Sequence, residues 1–389
     1  MKILFLNYEY PPLGGGAGVC TKYHAEGLAK RGYDVSVFTT WFKGEKEIEE
    51  NDNLKVYRLK AKRMFVHKSN PIEMLSWIKV TKNFLSEHLK TNKYDLCFAN
   101  FTIPGGIVSK WIKKEFNIPY IIISHGQDIP WFMPKQMGLY HLINYSRLQK
   151  ILNESERNIL LTEMMKTRAD KMLKKEEQKK NIIIPNASDT KFFSAKANAA
   201  SKFNLLFSSR LVKQKQPFVF LKSLVHMKER GVRFTAHIVG DGPLRKKMEA
   251  FVKRKKLSES VHFYGWVSKK EMREFYHKSA LLLITSIEEA MSLALLEAAN
   301  CGLYTITTPV SGSREIIKAK VNGDFINFKD YLSLAEKIIY FKSNYFKKNY
   351  LIPTKEIIKI KETYNWDSIV DKYDQTIKSC LLQQDNTVR

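Results

Sequence analysis

Three short stretches of this 389-residue chain combine residue types that suit a phosphate or sugar ligand, and each follows an apolar run. Glycines let a ligand approach bare backbone, Arg and Lys bind phosphate oxygens, and carboxylates accept hydrogen bonds from hydroxyl groups. The spacing within each stretch decides which ligand it favours. The stretches are "PPLGGGAG" (11–18), "SSRLVKQKQP" (208–217) and "SIEEAMSLALLEAANCG" (286–302).

The glycine-rich stretch is not a dinucleotide fingerprint. That fingerprint needs glycines at positions one, three and six, and counting from Gly14 or Gly16 places Val19 or Thr21 at the sixth position. A P-loop ending in Gly-Lys-Ser/Thr is also absent from the sequence. The backbone N–H groups near Gly15 and Gly16 open a predicted helix and favour anions or hydroxyl oxygens. A plain structural turn is the alternative.

The second stretch places Arg210 and Lys215 after the predicted strand at 203–208. Ligands collect at the carboxyl ends of strands in open α/β sheets. A guanidinium and an ammonium group there suit a diphosphate. The alternative is that both cations are simply solvated.

The third stretch carries Glu289 and Glu297, eight positions apart, with a turn and a predicted helix start between them. Glu297 falls on the second helical turn, about 7 Å into the helix, where a carboxylate can accept both hydroxyls of a ribose. Glu289 can meet hydroxyls of a second sugar, while free N–H groups near Ser292 and Leu293 face phosphates between them. The alternative is an ordinary helix with an acid near its amino end.

Short apolar runs alternate with amphipathic, helix-length runs, which predicts an α/β protein with two parallel sheets. The polar segment "SAKANAASK" (194–202) predicts the linker between them. We therefore expect domains at 1–195 and 196–364. The predicted strands are 2–8, 35–38, 54–59, 95–99, 119–124, 158–162 and 181–185, then 203–208, 234–239, 261–264, 280–285 and 304–307.

The chain has 65 Lys and Arg against 39 Asp and Glu, a net charge of +26. The positive electrostatic field of such a chain suits anionic partners, although a compositional preference for Lys explains the net charge equally well. The four cysteines lie far apart and, with the histidines, form no zinc-type pattern. No apolar run is long enough for a signal peptide or a membrane span, so a cytoplasmic protein is expected.

Residues 55–80 suggest contact with a membrane. The stretch 55–70 is basic and lacks acids, and an amphipathic stretch follows it. Basic residues beside an apolar helical face suit peripheral docking on an anionic leaflet, toward a lipid-linked acceptor. A solvated charged face is the alternative.

Taken together, these motifs resemble those of the retaining nucleotide-sugar glycosyltransferases of family four, in unbroken order from residue 2 to about residue 376. That family has the GT-B architecture, in which two Rossmann-like domains face each other across a cleft. Its last helix, here within 365–389, crosses back onto the amino-terminal domain. The motifs that carry the resemblance are Arg210-x4-Lys215, "VGDGPLRKKME" (239–249), "VHFYGWVSKKEM" (261–272), the two glutamates, "PPLGGGAG", "LAKRGYDVSVFTT" (28–40), "SHGQDIP" (124–130) and "IPNASDTKFF" (184–193).

The resemblance implies a role for each matching residue. Arg210 and Lys215 would bind the donor diphosphate, Glu297 the ribose, and Glu289 the transferred sugar. The stretch from Gly265 to Val267 would pack against the base of the donor nucleotide. Gly15 and Gly16 would border the donor, and His125 would hydrogen-bond a hydroxyl of the reacting sugar. A packed histidine is the alternative for His125.

The function expected from the resemblance is retaining, metal-independent transfer of a hexose from a UDP- or GDP-sugar, in polysaccharide or glycolipid assembly. The acceptor would be lipid-linked or a saccharide, and neither a cofactor nor a metal is expected. The alternative is a basic α/β protein that binds nucleotides or nucleic acid without transferring a sugar. It predicts aromatic residues clustered with Lys and Arg, which the chain lacks outside 55–80, so no nucleic acid is expected.

Overall fold

The structure is a computed structural model that describes residues 1–66, 69–132, 134–195, 202–348 and 352–385. The chain forms two compact units, Met1–Asn186 with Trp366–Arg389, and Ala187–Asn365. Most of the predicted linker, 196–201, lies outside the described residues.

The segment 187–195, which the sequence analysis assigned to the first domain, belongs to the second unit. Asp189 forms an ion pair with Lys269 at 2.6 Å, and the ring of Phe193 lies edge-on to Tyr276 at 5.8 Å. These contacts hold the segment against the helix that carries Lys269 and Tyr276.

The first unit is built on a sheet in which, among the described residues, eight strands pair. Seven of them are parallel along the order β3-β4-β2-β1-β5-β6-β7-β8, and β3 is antiparallel to β4. The exposed edge strand β3, sequence "IEEN", was missed because it has no apolar alternation. The strands are β1 (Lys2–Leu6), β2 (Asp34–Thr40), β3 (Ile48–Asn51), β4 (Leu54–Leu59), β5 (Leu96–Asn100), β6 (Tyr120–Ile123), β7 (Arg157–Leu160) and β8 (Asn181–Ile183).

Helices cover this sheet and bury an apolar core against it. Side chains such as Trp77, Leu85 and Ile112 leave helices on one face and pack on strand residues such as Leu4 and Ile122. Apolar burial of this kind is the main stabilising term. The helices of the unit are α1 (Gly16–Lys30), α2 (Pro71–Thr91), α3 (Gly106–Phe116), α4 (Pro134–Glu154), α5 (Glu163–Asp170) and, from the carboxyl end of the chain, Trp366–Asp385.

The second unit holds a parallel sheet of six strands within the described residues, in the order β11-β10-β9-β12-β13-β14. The first and fourth strands of the unit therefore lie side by side, as in a Rossmann fold. The short strand β14 was missed because its sequence, "GDF", lacks an apolar run. The strands are β9 (Asn204–Ser208), β10 (Thr235–Val239), β11 (Val261–Gly265), β12 (Leu281–Ile284), β13 (Thr305–Thr307) and β14 (Gly323–Phe325).

Helices connect these strands and bury a second apolar core, which includes Phe207, Phe220 and Leu283. Capping is visible where α8 begins, since Ser268 and Glu271 form a capping box there. The helices are α6 (Pro217–Glu229), α7 (Arg245–Arg254), α8 (Lys269–Lys278), α9 (Leu293–Asn300), α10 (Ser311–Ile316), α11 (Tyr331–Lys348) and α12 (Thr354–Thr363), and the first unit's last helix is α13 (Trp366–Asp385).

Helix α13 packs on α1 of the first unit, which confirms that the last helix returns to the amino-terminal domain. The rings of Tyr23 and Trp366 stack with centroids 4.6 Å apart. Arg31 forms an ion pair with Asp371 at 2.6 Å. Gly27 allows the close approach, because a Cβ built there would lie 2.5 Å from a methyl carbon of Val370.

We expect Gly27→Ala to destabilise the first unit by about 1–3 kcal/mol, because the added methyl group overpacks the α1–α13 contact. Urea unfolding of the intact chain, followed by circular dichroism, measures the change.

Gly138→Ala is the matched control, since Gly138 lies in α4 and a Cβ there would meet nothing within 4 Å. That change should stabilise by about 0.5–1 kcal/mol, because alanine loses less entropy in a helix. Equal stability of the two variants would contradict the packing argument.

Candidate functional site

Two loops of the second unit meet where the strand order of its sheet reverses, between β9 and β12. The backbone N–H of Ile287 donates to the carbonyl of Gln214 at 3.0 Å, and the Gln214 amide donates to the carbonyl of Glu288 at 2.6 Å. The Thr285 hydroxyl donates to the carbonyl of Lys215 at 2.8 Å. The loop after β9 and the loop after β12 therefore hold each other at the position where α/β sheets bind ligands.

Lys215 and Glu289 form an ion pair between these loops. Lys215 Nζ lies 2.5 Å from Glu289 Oε1, and the two side chains are only 14% and 12% exposed. Glu289 Oε2 is buried and has no hydrogen-bond partner among the described residues. An unpartnered buried oxygen costs free energy unless a donor reaches it, so this oxygen is a candidate acceptor for a ligand hydroxyl.

Arg210 lies on the same loop as Lys215, just after β9. Gly240 allows the loop to lie close to its neighbour, since a Cβ there would be 2.1 Å from the carbonyl oxygen of Ser209. The φ of Gly240 is +118°, a conformation that favours glycine. Arg210 is thereby placed at the carboxyl edge of the sheet, five residues before Lys215 on the same loop.

The amino end of α9 begins in the loop after β12. Ser292 is its N-cap and accepts a hydrogen bond from the backbone N–H of Leu295 at 3.4 Å. Ser292 and Leu293 are partly exposed, and the first N–H groups of a helix lack partners inside it. Gly312 allows this loop to pack closely against α10, because a Cβ on Gly312 would lie 2.5 Å from the carbonyl oxygen of Ala290.

Glu297 lies in the second turn of α9 and is held by a tyrosine that the sequence analysis missed. The hydroxyl of Tyr276, a buried residue of α8, donates to Glu297 Oε2 at 2.9 Å. Burial raises the pKa of Glu297 to about 7, and the hydrogen bond from Tyr276 opposes that shift. A phenol at a buried helix position needs a polar partner, which was the available signal for Tyr276.

The Gly265–Val267 stretch follows β11 at the same edge of the sheet. Gly265 has a φ of +71° and its carbonyl accepts from the backbone N–H of Gly240 at 2.7 Å. Strands lie about 4.8 Å apart, so β11 is about 10 Å from β9, with β10 between them. Val267 is partly exposed. Its contact with a base stays a prediction.

In the first unit, the glycines of the opening loop divide into two kinds. A Cβ on Gly14 would lie 2.4 Å from the carboxylate of Glu9, and one on Gly18 would lie 3.0 Å from the carbonyl oxygen of Leu13. Packing within the unit therefore requires the absence of a side chain at Gly14 and Gly18. A Cβ on Gly15 would meet nothing within 4 Å, and Gly16 is exposed at the start of α1. Packing within the unit does not account for Gly15.

His125 follows β6 and belongs to a polar network. Its Nε2 lies 2.9 Å from Asn100 Oδ1, and its backbone N–H donates to Asp128 at 3.0 Å. Asn100 Oδ1 also accepts from the Thr21 hydroxyl at 3.0 Å. Burial lowers the pKa of His125, so the ring is neutral at pH 7. With Nε2 donating to Asn100, Nδ1 is left as an acceptor. Contact of His125 with a sugar stays a prediction.

The basic stretch within 55–70 is largely neutralised by the chain itself. Its strand β4 pairs with the acidic strand β3 and the loop before it, so that cations and carboxylates face each other. Lys62 has no ion pair within the described ranges, and Lys68 lies outside them. The ion pairs of the stretch include Lys55–Glu50, Arg58–Glu49, Lys60–Glu47 and Arg63–Glu9.

Two families match this chain, one over its amino-terminal part and one over its carboxyl-terminal part. Residues 14–192 match the family described as Glycosyltransferase Family 4, and residues 188–356 match the one described as Glycosyl transferases group 1. The chain belongs to the family-four glycosyltransferases. The resemblance drawn from the motifs is therefore confirmed, and this family-four enzyme belongs to a group that acts on nucleotide sugars.

Relatives of this glycosyltransferase share its length but little of its sequence. An uncharacterized glycosyltransferase of Methanocaldococcus jannaschii is 25% identical over 340 residues, covering 87% of this chain and 88% of that protein. The 2-deoxystreptamine N-acetyl-D-glucosaminyltransferase of Niallia circulans is 23% identical over 322 residues, covering 78% of this chain and 82% of that protein.

Solved structures confirm the fold class, α/β with two Rossmann-like domains of the GT-B type. Sucrose-phosphate synthase from Thermosynechococcus elongatus matches with a TM-score of 0.84 at 17% identity, over 100% of both chains. Anabaena HepE in complex with UDP and glucose matches with a TM-score of 0.76 at 18% identity, over 97% of this chain and 100% of that one.

The ranges that the structure describes contain neither a metal-binding cluster nor a helix that could span a membrane. No group of three or more His, Cys, Asp or Glu side chains there could hold a metal ion. No helix in those ranges is both long and apolar enough to cross a bilayer.

We expect the free energy of unfolding to depend on pH through Glu297. Its folded pKa of about 7 lies above the ordinary value of 4.5, so the folded state binds more protons than the unfolded state between these values. Stability is therefore lost as the pH rises from about 4.5 to 7, by at most about 3 kcal/mol.

Glu297→Gln removes this titration while leaving an oxygen that can accept from Tyr276. Urea unfolding at about pH 5 and about pH 7 measures the free energy of unfolding of the variant and of the natural chain, on either side of the range where only the folded Glu297 stays protonated. The stability of the variant relative to the natural chain should rise with pH. An unchanged difference would contradict a raised pKa at Glu297.

Proposed function

We propose that this family-four glycosyltransferase transfers a hexose from a UDP-sugar to an acceptor hydroxyl, with retention of the anomeric configuration. The transfer is metal-independent and serves the assembly of a cell-surface polysaccharide or glycolipid, with a lipid-linked or saccharide acceptor. HepE, whose structure contains UDP and glucose, supports the choice of UDP over GDP. The family assignment favours transfer over the nucleic-acid-binding alternative.

The observation that carries the proposal is the Lys215–Glu289 pair at the point where the sheet order reverses. Breaking the bond between a sugar and a diphosphate leaves negative charge on the diphosphate. An ammonium group that is already fixed in position stabilises that charge without further reorganisation. Lys215 has three N–H donors and Glu289 uses one of them, so the others remain for phosphate oxygens.

The remaining groups of the second unit complete a donor site. Arg210, on the same loop as Lys215, and the N–H groups near Ser292 and Leu293 bind the diphosphate. Glu289 Oε2 accepts a hydroxyl of the transferred sugar, and Glu297, oriented by Tyr276, accepts the ribose hydroxyls. The ionised form of Glu297 suits this role better, because it only accepts hydrogen bonds, whereas the protonated carboxyl also carries an O–H donor.

The proposed reaction breaks the bond between the anomeric carbon and the diphosphate oxygen, and forms one between that carbon and the acceptor oxygen. The acceptor attacks from the face that the diphosphate leaves, and its proton goes to a diphosphate oxygen. No side chain is assigned as a covalent nucleophile. Because the acceptor attacks from the same face that the diphosphate leaves, the configuration at the anomeric carbon is retained.

A thermal-shift panel of UDP-, GDP- and ADP-sugars tests the donor. The matching donor at 100 times its dissociation constant should stabilise the protein by about 2.7 kcal/mol. With that donor, NMR of the product should show the anomeric configuration of the donor sugar, and added chelator should leave the rate unchanged. A product of inverted configuration would overturn retention, and the absence of a shift with every donor would overturn the site.

We expect Lys215→Met and Glu289→Gln each to lower kcat/KM by about 10²-fold. The first removes charge that faces the leaving diphosphate, and the second removes a carboxylate that holds the sugar. Initial rates with the matching donor measure both effects.

A surface ion pair on α8 provides matched control variants. Lys278 and Glu274 lie 3.5 Å apart and are largely exposed. Lys278→Met and Glu274→Gln make the same chemical changes, and an exposed pair contributes little, so the rate should stay within about twofold of the natural enzyme's. Equal losses in both pairs would count against the site.

A further inference from the structure

A series of hydrogen bonds links His125 to the backbone of the first unit through two asparagines and a threonine. The backbone N–H of Glu9 donates to Asn7 Oδ1 at 3.0 Å, and Asn7 Nδ2 donates to the Thr21 hydroxyl at 2.8 Å. The Thr21 hydroxyl lies 3.0 Å from Asn100 Oδ1, and His125 Nε2 lies 2.9 Å from the same oxygen. Asn7, Thr21 and Asn100 are buried, so solvent does not reach them.

Backbone groups at both ends of the series fix the orientation of the two amides. A backbone N–H only donates, so the Asn7 atom that faces Glu9 is the amide oxygen. A backbone carbonyl only accepts, and Asn100 Nδ2 lies 3.4 Å from the carbonyl oxygen of Leu6. An Asn100 amide turned the other way would place two acceptors against each other. The Asn100 oxygen therefore faces the ring of His125.

The orientation of Asn100 decides which ring nitrogen of His125 carries the proton. An amide oxygen only accepts, so the contact at 2.9 Å requires a proton on Nε2. A neutral imidazole has one N–H, which leaves a lone pair on Nδ1. His125 is partly exposed, and among the described residues Nδ1 has no hydrogen-bond partner. The Phe101 ring packs on the imidazole, with the two centroids 4.7 Å apart, and limits its rotation.

We propose that Asn100 is a positioning residue, which holds His125 with its proton on Nε2 and so makes Nδ1 a hydrogen-bond acceptor for the donor sugar. This inference rests on the proposed function, since the ligand of Nδ1 is a hydroxyl of that sugar. A hydroxyl donates to Nδ1, whereas a group with acceptor oxygens alone, such as a carboxylate, does not. The site therefore selects a sugar that presents a hydroxyl at this point.

An uncharged amide suits this role, because it orients the ring of His125 without adding a charge beside it. The titratable groups that interact with the ring are Asp128, which follows β6, and His24 of α1. The Asp128 carboxylate accepts from the backbone N–H groups of His125 at 3.0 Å and Thr102 at 2.9 Å. A carboxylate in place of the Asn100 amide would favour the imidazolium form, in which both ring nitrogens carry protons.

Nitrogen NMR of the full chain tests the inference without a sugar donor, so its failure is separate from that of the proposed function. With isotope-labelled histidine, the signals of His125 are those that disappear in His125→Gln, and we expect the proton on Nε2. In Asn100→Asp, His125 should titrate about one pH unit higher or more, because the new carboxylate favours the charged ring. In Asn100→Leu the acceptor is lost, and the Nε2 proton should exchange with water about tenfold faster.

Asn158 provides the matched control. It is a buried asparagine of β7 whose amide donates to the carbonyl of Leu152 and to Asn181. Asn158→Asp and Asn158→Leu make the same chemical changes and should leave the signals of His125 unchanged. Circular dichroism checks that each variant is folded, and Asn100→Asp, which preserves the size of the side chain, decides the question if Asn100→Leu does not fold.

The pH profile of sugar transfer tests the role of Nδ1. In Asn100→Asp the ring is charged below its raised pKa and cannot accept, so kcat/KM there should be about tenfold below that of the natural enzyme. It should recover as the pH rises through that pKa, which a loss of packing would not produce. A proton on Nδ1 in the natural chain would overturn the inference. So would an unshifted titration of His125 in Asn100→Asp, or a rate that does not recover.

Discussion

The hydrogen bonds between the loops after β9 and β12 are the constraint on which the donor site depends. Thr285, the first residue after β12, donates to the carbonyls of both Lys215 and Gln216. Each such bond contributes about 1 kcal/mol, but its positional effect is larger. It keeps the Lys215 ammonium within reach of Glu289, and the amino end of α9 follows from the same loop.

The strand order explains why these loops meet. Because β9 and β12 are neighbours in the sheet although β10 and β11 lie between them in the chain, their helices leave on opposite sides and a crevice remains at their carboxyl ends. Glycines then allow the loops to approach closely, as Gly240 does beneath Ser209 and Gly312 does beneath Ala290. The chemistry of the site thus depends on the topology of the sheet.

Most helices and strands could be predicted from the sequence, because apolar periodicity is a local property. The two strands that were missed, β3 and β14, lie at sheet edges and lack that periodicity. The motif residues of the second unit follow its strands at the carboxyl edge of the sheet, and their role in donor binding stays a prediction. The boundary near residue 195 differs from the division at residue 187, because composition marks a linker but does not show which helix a preceding segment contacts.

The sequence by itself determined the α/β class, the family and the edge of the sheet at which each motif lies, since local patterns and motif order carry that information. Only the tertiary structure decided which side chains become partners. The Lys215–Glu289 pair joins positions 74 residues apart, and Tyr276 reaches Glu297 from another helix. The pairing of β3 with β4 likewise brings carboxylates opposite the cations of the basic stretch, so that these groups form ion pairs. Such pairings depend on which elements become neighbours, and local periodicity does not encode that.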